Sequence, residues 1–291
     1  MSLKKLSLFF MLSSSAWGAL SFSKFAEIPI YNQGRLKPLD TYARIELLAL
    51  SEKTSLPKLS AREWLCEVLF EKDKAWARPI FRIRNPELLH MLNMTKRENN
   101  LYSFNDISEP LKRLLPSIES LKNIHINEQS VVQQQLFYLF EAHNRYWSLS
   151  HEMAWLDEDS SSEYYVDPGR SGGFKVIPVS GTHPENVQWQ SPASILSAEL
   201  PRPQTLELLK LWAQLKIAYQ NSDSLEWEKT VASLLAFNKT IIGNSYRNSV
   251  LHWERRYNDL DFFTLSLSLY LLSFLGLIIV MIYPKKSTLL G

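Results

Sequence analysis

The hydrophobic pattern of the chain is dominated by one uninterrupted apolar run, from Phe262 to Tyr283, that contains no charged side chain. A bilayer core about 30 Å thick is crossed by about 20 helical residues. A single helix satisfies all of its backbone polar groups internally, which hydrocarbon requires. The run therefore predicts one transmembrane helix over 261–283, followed by a short tail over 284–291.

The charges beside this run predict its orientation in the membrane. Asp261 stands before the run, whereas Lys285 and Lys286 follow it. Because lysines next to a span favour the cytoplasmic side, the tail is expected to be cytoplasmic and the residues upstream are expected to lie outside. Tyr257 and Trp253 would then approach the headgroup layer, where amphipathic rings settle.

The N-terminal residues have the pattern of a secretory signal. Lys4 and Lys5 precede a short apolar segment over Leu6–Met11, and Ala16–Gly18 supplies small residues at a cleavage position. The segment is too short to span a bilayer. We predict a signal peptide over 1–18. An uncleaved anchor there is the alternative, and it would place the domain on the same side.

Between these ends, over 19–260, apolar side chains recur mostly at helical spacing. Ser60 and Glu63 form a capping-box pattern, and Asp40 is a candidate N-cap residue. The fold class is predicted as mainly α: a helical exported domain with a small β or loop insertion and one C-terminal transmembrane helix. The helices are predicted at Thr41–Lys53, Ser60–Phe70, Asn85–Leu92, Tyr102–Leu115 (ended by Pro116), Asn127–Met153, Thr205–Asn221, Ser224–Ile241 and Asn244–Leu260.

Serine, glycine and proline interrupt this pattern around 157–185. The stretch contains Ser160–Ser162 and Gly169–Gly173, and strand-like residues follow at Phe174–Val179. It is either an exposed loop with a hairpin or a boundary between two helical halves, and we favour the loop.

Composition excludes several classes of function. The chain has 291 residues, a net charge of +2 with both signs interspersed, and one cysteine, Cys66. A net charge this small, with both signs interspersed, lacks the basic clusters that are typical of nucleic-acid-binding proteins. One cysteine allows no internal disulfide, no CxxC redox site and no CxxCH haem attachment site. An exported protein without disulfides is typical of a bacterial periplasm, so we expect a single-pass protein of the bacterial inner membrane with its bulk in the periplasm.

The search for reactive centres yields few candidates. No GxSxG, HExxH, P-loop or dinucleotide-binding pattern occurs. His143, Trp147 and His151 follow each other at intervals of four residues, which places them near one helix face. They are candidates for contact with a planar ligand such as haem, although satisfied histidines on a helix face explain the spacing better. We predict no metal site, no catalytic residue and no firmly bound cofactor.

One cluster of cations follows a turn near the N-terminus, in the segment Gly34–Arg44. Its structural interpretation is a glycine turn, an extended proline and a capped helix. Its functional interpretation assigns the cations to an anionic partner such as a carboxylate or propionate. Contact candidates in this segment are Arg35, Lys37, Asp40 and Arg44.

The sequence Ile28–Ile30 followed by GRLKPLDTYAR resembles the opening of the exported domain in bacterial cytochrome c biogenesis system II proteins of the fused CcsB–CcsA (ResB–ResC) kind. Looser matches lie at Ala61–Leu69, at Tyr102–Phe104 and at Glu254–Asn258, the last with the Tyr257–Asn258 pair before the span. The resemblance covers the chain from about Ile28 onward. It adds Tyr257 and Asn258 to the contact candidates.

The resemblance implies machinery that carries haem across the membrane and joins it to apocytochrome cysteines. Fused members continue into a many-span half with a tryptophan-rich haem-handling segment, which this sequence does not contain. We therefore expect an accessory or scaffold subunit of a cytochrome c maturation complex, or a remnant of one. Its expected partners are a separate CcsA/ResC-like many-span protein, apocytochrome c and the lipid bilayer, with haem reached only through the many-span partner.

Two other functions compete with this interpretation. The first is a membrane-tethered periplasmic protein that binds another ligand, or scaffolds the envelope, without any relation to haem. The second is a membrane-bound hydrolase whose catalytic residues come together only in the folded protein.

Overall fold

The computed structural model describes residues 20–156, 174–180, 187–196, 203–243, 248–260 and 262–282. The predicted signal peptide over 1–18, most of the predicted loop over 157–185 and the tail over 284–291 lie outside the described residues. Within the described ranges the protein has twelve α-helices and four two-stranded antiparallel sheets. The predicted fold class, mainly α with a small β content, is confirmed.

The elements alternate short hairpins with helices in the first third of the chain and are almost wholly helical afterwards. The helices are α1 Leu39–Ser51, α2 Ala61–Phe70, α3 Lys72–Ala77, α4 Pro86–Met91, α5 Phe104–Arg113, α6 Leu115–Leu121, α7 Val131–His151, α8 Pro192–Leu196, α9 Pro203–Gln220, α10 Ser224–Ile242, α11 Asn248–Leu260 and α12 Phe262–Ile282. The strands are β1 Pro29–Asn32, β2 Arg35–Pro38, β3 Ser55–Leu56, β4 Leu59–Ser60, β5 Phe81–Arg82, β6 Leu101–Tyr102, β7 Ile177–Ser180 and β8 Val187–Gln190.

Side chains cap the N-termini of helices α2 and α7. The predicted capping box of Ser60 and Glu63 is present at α2, where each side chain bonds the other residue's backbone amide. The long helix α7 begins in the same way at Ser130, which exchanges bonds with Gln133. These caps satisfy amides that have no partner within the helix.

Two local predictions fail, both at helix ends. Asp40 is not the N-cap of α1, because the helix begins one residue earlier, at Leu39, and Pro38 occupies the cap position without a side-chain bond. Pro116 does not merely end a helix; it lies in the first turn of α6, where its missing amide hydrogen has no cost.

The hydrophobic core is continuous from the first hairpin through α10. Trp64 on α2, Trp212 on α9 and Trp227 on α10 are each fully buried. Phe25 packs against both Trp212 and Trp227, which joins the start of the chain to the α9–α10 pair. The single cysteine, Cys66, is buried within α2, as expected for a small apolar residue.

The last helix contrasts with this core. From Phe262 to Ile279 its mean hydropathy is 2.2 and none of it is buried. Its 21 residues extend about 31 Å at 1.5 Å per residue, which matches a bilayer core. Within the described residues it is the one helix long and apolar enough to cross a membrane, as predicted for this stretch. Helix α11 directly precedes it in the chain.

Candidate functional site

The segment with the predicted contact residues forms the first hairpin and the start of α1. Gln33 and Gly34 connect β1 to β2, and both have positive φ angles, 52° and 81°. Positive φ at both positions defines the tight two-residue turn whose twist matches the flanking strands. Asn32 consequently pairs with Arg35 in the ladder. Side chains alternate along a strand, so Arg35 and Lys37 lie on the same side of β2.

Arg35 binds a residue of α11 that lies 219 positions further along the chain. Its Nη1 and Nη2 donate to the two carboxylate oxygens of Glu254 at 2.9 and 3.0 Å. The pair is bidentate, the geometry in which a guanidinium holds a carboxylate best. These bonds raise the pKa of Arg35. Glu254 lies in the segment Glu254–Asn258 that carries part of the resemblance, but the sequence did not predict it as a site residue.

Asp40, in the first turn of α1, forms the second contact with α11. Its buried carboxylate accepts a hydrogen bond from Arg44 Nε at 2.7 Å and another from Asn258 Nδ2 at 3.2 Å. The same Asn258 amide donates to Thr41 Oγ1 at 2.9 Å. Glu254 and Asn258 are four residues apart, so both lie on the face of α11 that meets the domain.

Further ion pairs extend this contact to the end of α11. Asp259 lies 3.9 Å from Arg44 and 3.5 Å from Arg62. Arg255 pairs with Glu27 and donates to Ser23 Oγ at 2.6 Å. We call the contacts of Arg35 with Glu254, of Asp40 and Thr41 with Asn258, and of Arg44 with Asp259 the α11 clasp.

The other two predicted contact residues lie outside the clasp. Lys37 is only 1% exposed, and its Nζ donates to Asn32 Oδ1 at 2.9 Å and to Gln33 Oε1 at 3.4 Å. Burial, and then the positive charge of Arg35, lower the pKa of Lys37. Tyr257 is exposed on α11, with its ring 5.0 Å from that of Phe262.

A second feature is a cavity of about 970 Å³ beside α7, which we call the α7 cavity. Its wall includes residues from the first hairpin, from α1, from α5 and α6, and from the second half of α7. Glu46 on α1 and Arg145 on α7 form an ion pair in this wall at 3.0 Å. Burial raises the pKa of Glu46, and Arg145 opposes that effect.

The three predicted planar-ligand contacts are spread along α7. His143 stacks on Phe104 with the ring centroids 4.3 Å apart, and its Nε2 lies 3.0 Å from Ser108 Oγ. Burial lowers the pKa of His143 to about 4, so the ring is neutral at pH 7. Trp147 stacks on His151 instead, at 4.1 Å. His143 and Trp147 line the α7 cavity, whereas His151 is 1% exposed and its Nδ1 lies 2.7 Å from the carbonyl oxygen of Trp147.

Glu152, the residue after α7, was not predicted as a site residue. It is 1% exposed and lines the cavity. The amide of Ala193 and the side chain of Ser191 donate to its carboxyl group. Its Oε2 has no hydrogen-bond partner in the described part of the chain. Burial raises the pKa of Glu152 from 4.5 to about 8. In the sequence, only its position next to His151 could have indicated that Glu152 belongs to this site.

In the described ranges, no three histidine, cysteine or carboxylate residues are grouped so that they could hold a metal ion. Comparison of the chain with protein-family models finds no matching model, and comparison with curated proteins finds no matching protein. The resemblance to system II proteins therefore stays a prediction.

Proposed function

We propose that the protein is a membrane-anchored scaffold subunit of a cytochrome c maturation complex, acting with a separate many-span haem-handling protein. In this proposal α12 crosses the bacterial inner membrane once, the helical domain lies in the periplasm and the tail is cytoplasmic. Apocytochrome c docks near the domain. Haem delivery and attachment take place on the many-span partner.

The α11 clasp is the observation that supports this proposal. The segments Gly34–Arg44 and Glu254–Asn258 both carry the resemblance to system II proteins, and they contact each other although more than two hundred residues separate them. Their contacts join the domain to the helix that leads into α12. A scaffold needs such a joint, because docking sites are useful only when their height and orientation above the membrane are defined.

The exposed surface of the anchor is compatible with a partner in the membrane. None of the span from Phe262 to Ile279 is buried against the domain, so its whole circumference is open to lipid and to helices of another protein. In lipid, such helices associate through close packing and interhelical hydrogen bonds. Ser266 and Ser268 bond carbonyl groups of the preceding turn and so remain compatible with lipid.

The proposal is tested in a strain that lacks the protein and is complemented with variants. Deletion is expected to lower covalently haem-stained c-type cytochromes, and the tagged protein is expected to co-purify with a many-span protein. Arg35→Glu should reproduce the loss, and Arg35→Glu combined with Glu254→Arg should restore maturation. Unchanged cytochromes after deletion would refute the proposal. If the double reversal restored the clasp but not maturation, Arg35 would contact a partner directly.

A second candidate function is a membrane-tethered ligand-binding protein unrelated to haem. The observation that favours it is the α7 cavity, whose volume of about 970 Å³ lies within the range of small-molecule sites. Intact cytochromes in the deletion strain, together with saturable binding of a small molecule by the purified protein, would favour this second function.

A further inference from the structure

We propose that the α7 cavity binds a small aromatic molecule that carries a protonated amine, with the amine directed at Glu152. This inference deepens the second candidate function, on which it rests. It is tested on the purified protein alone, so its failure is distinguishable from failure of the cytochrome proposal, which is tested by deletion.

The lining of the cavity includes both buried and exposed side chains, and we call these two parts its closed end and its mouth. Tyr42, Glu152 and Phe174 line the closed end and are each exposed by no more than 2%. Glu109 and Lys112 line the mouth, and their side chains are 77% and 73% exposed. A ligand that entered from the mouth would therefore lose most of its contact with water as it reached Glu152.

Aromatic rings form much of the wall between these two ends. Trp76, Phe104, Phe140 and Trp147 contribute side chains there, and Tyr42 and Phe174 continue the aromatic surface inward. Flat rings stack favourably on such surfaces, and the faces of aromatic rings also attract cations. This wall favours a ligand with a planar apolar body.

The charge of the lining favours a cation over an anion. Acidic side chains outnumber cationic ones in the wall by five to three, and by four to three while Glu152 is protonated. Of the cations, Arg145 is held by Glu46 at 3.0 Å, and Lys112 lies 3.8 Å from Glu109. His143 adds no charge at pH 7 because its pKa is lowered to about 4. An anionic ligand would meet a net negative wall.

Glu152 specifies the polar group of the ligand. One side of its carboxyl group is held by Ala193 and Ser191, whereas Oε2 has no hydrogen-bond partner among the described residues. A buried acceptor without a partner is costly, and an ammonium group would supply the missing donor with a compensating charge. The ionisable groups around it are Tyr42 and, within electrostatic reach of Tyr42, the Glu46–Arg145 pair.

Binding of an amine should release a proton. The carboxyl group of Glu152 is mostly protonated at pH 7 when the cavity is empty, because its pKa is about 8. An ammonium ion beside it favours the carboxylate and lowers this pKa. The O–H bond of Glu152 then breaks, its proton goes to the buffer, and an ion pair forms. Binding at pH 7 should therefore release a large fraction of one proton for each ligand bound.

The probes are three indoles of similar size with different side-chain charges: tryptamine, tryptophol and indole-3-propionate. Each is titrated into the full-length protein in lipid nanodiscs, by calorimetry in phosphate and in Tris at pH 7. Tryptamine should bind at least about tenfold more tightly than tryptophol, and indole-3-propionate most weakly. The difference in enthalpy between the two buffers reports the released proton, and only tryptamine should show it.

Two variants locate the effect. Glu152→Gln keeps an acceptor for Ala193 but cannot ionise, so tryptamine should lose both its advantage over tryptophol and its proton release. Glu228→Gln, at an exposed position of α10 away from the cavity lining, is the matched control and should change tryptamine affinity by less than about threefold.

Several results would overturn the proposal. They are the absence of tryptamine binding up to about 10 mM, equal or tighter binding of indole-3-propionate, and unchanged tryptamine binding in Glu152→Gln. If that variant fails to fold, the buffer comparison on the unaltered protein decides, since binding without proton release would also contradict the role of Glu152.

Discussion

Substitution of Asn258 by alanine tests whether the α11 clasp holds the domain to its anchor. The change removes the hydrogen bond to the buried carboxylate of Asp40 at 3.2 Å and the bond to Thr41 at 2.9 Å. A hydrogen bond to a neutral group contributes about 1 kcal/mol and one to a charged group somewhat more. The bond from Asn258 to Asp40 is long and only partly buried, so we expect the substitution to lower the stability of the α11 contact by about 1–2 kcal/mol in total.

This loss should appear as easier local opening of α11. Hydrogen exchange measured by mass spectrometry in lipid nanodiscs should show amides of α11 exchanging about 5–30-fold faster, the factor that corresponds to 1–2 kcal/mol. Amides of α2 and α7 should keep their rates, because neither helix depends on Asn258 for its caps.

Arg256→Ala is the matched control on the same helix. Its guanidinium lies over the ring of Trp253, at 5.5 Å on the exposed side, and makes no contact in the clasp. It should change exchange in α11 by less than about threefold. Equal exchange in Asn258→Ala and the unaltered protein would refute the clasp as a source of stability. A uniform acceleration in all helices would show that Asn258 supports the whole domain instead.

Three further predictions concern stability and membrane insertion. Arg78→Met should destabilise the domain by about 3 kcal/mol, measured as a lower midpoint of thermal unfolding. The change removes the hydrogen bonds of 2.6 and 2.7 Å from Arg78 to the carboxylate of Glu67, which is 2% exposed, and adding Glu67→Gln should recover part of the loss. Because the pKa of Glu152 is raised to about 8, the folded state holds its proton more tightly than the unfolded state, so the stability that this group contributes is complete below pH 4.5 and falls as pH rises to about 8. Chemical unfolding should show the free energy of unfolding declining by up to about 1.4 kcal/mol per pH unit in this range, and Glu152→Gln should abolish the decline. An equal slope in both proteins would contradict this prediction. Leu272→Arg, at the centre of α12, should cost about 3 kcal/mol of insertion and make the protein extractable by alkaline carbonate, whereas Leu272→Ala should remain in the membrane.

Local sequence determined the elements from which the site is built. The apolar run after Asp261 indicated α12, since hydrophobicity over about 20 residues needs no knowledge of the rest of the fold. The Ser60 capping box and the turn before Arg35 could likewise be predicted from the sequence, because each is formed by residues within a few positions of one another. Asp40 shows the limit of such reasoning: a good capping residue was present, but the helix began before it.

Only the tertiary structure decided which of these residues meet. Arg35 was a cation available to any anion until the fold placed Glu254 against it, and Glu152 was an ordinary acid until packing removed it from water. Contacts between distant segments depend on how whole faces of helices pack, and burial depends on everything around a side chain. The order of residues along the chain specifies neither these contacts nor the burial of a side chain. It therefore shows which charged and polar groups are present, but not which of them are already paired within the fold.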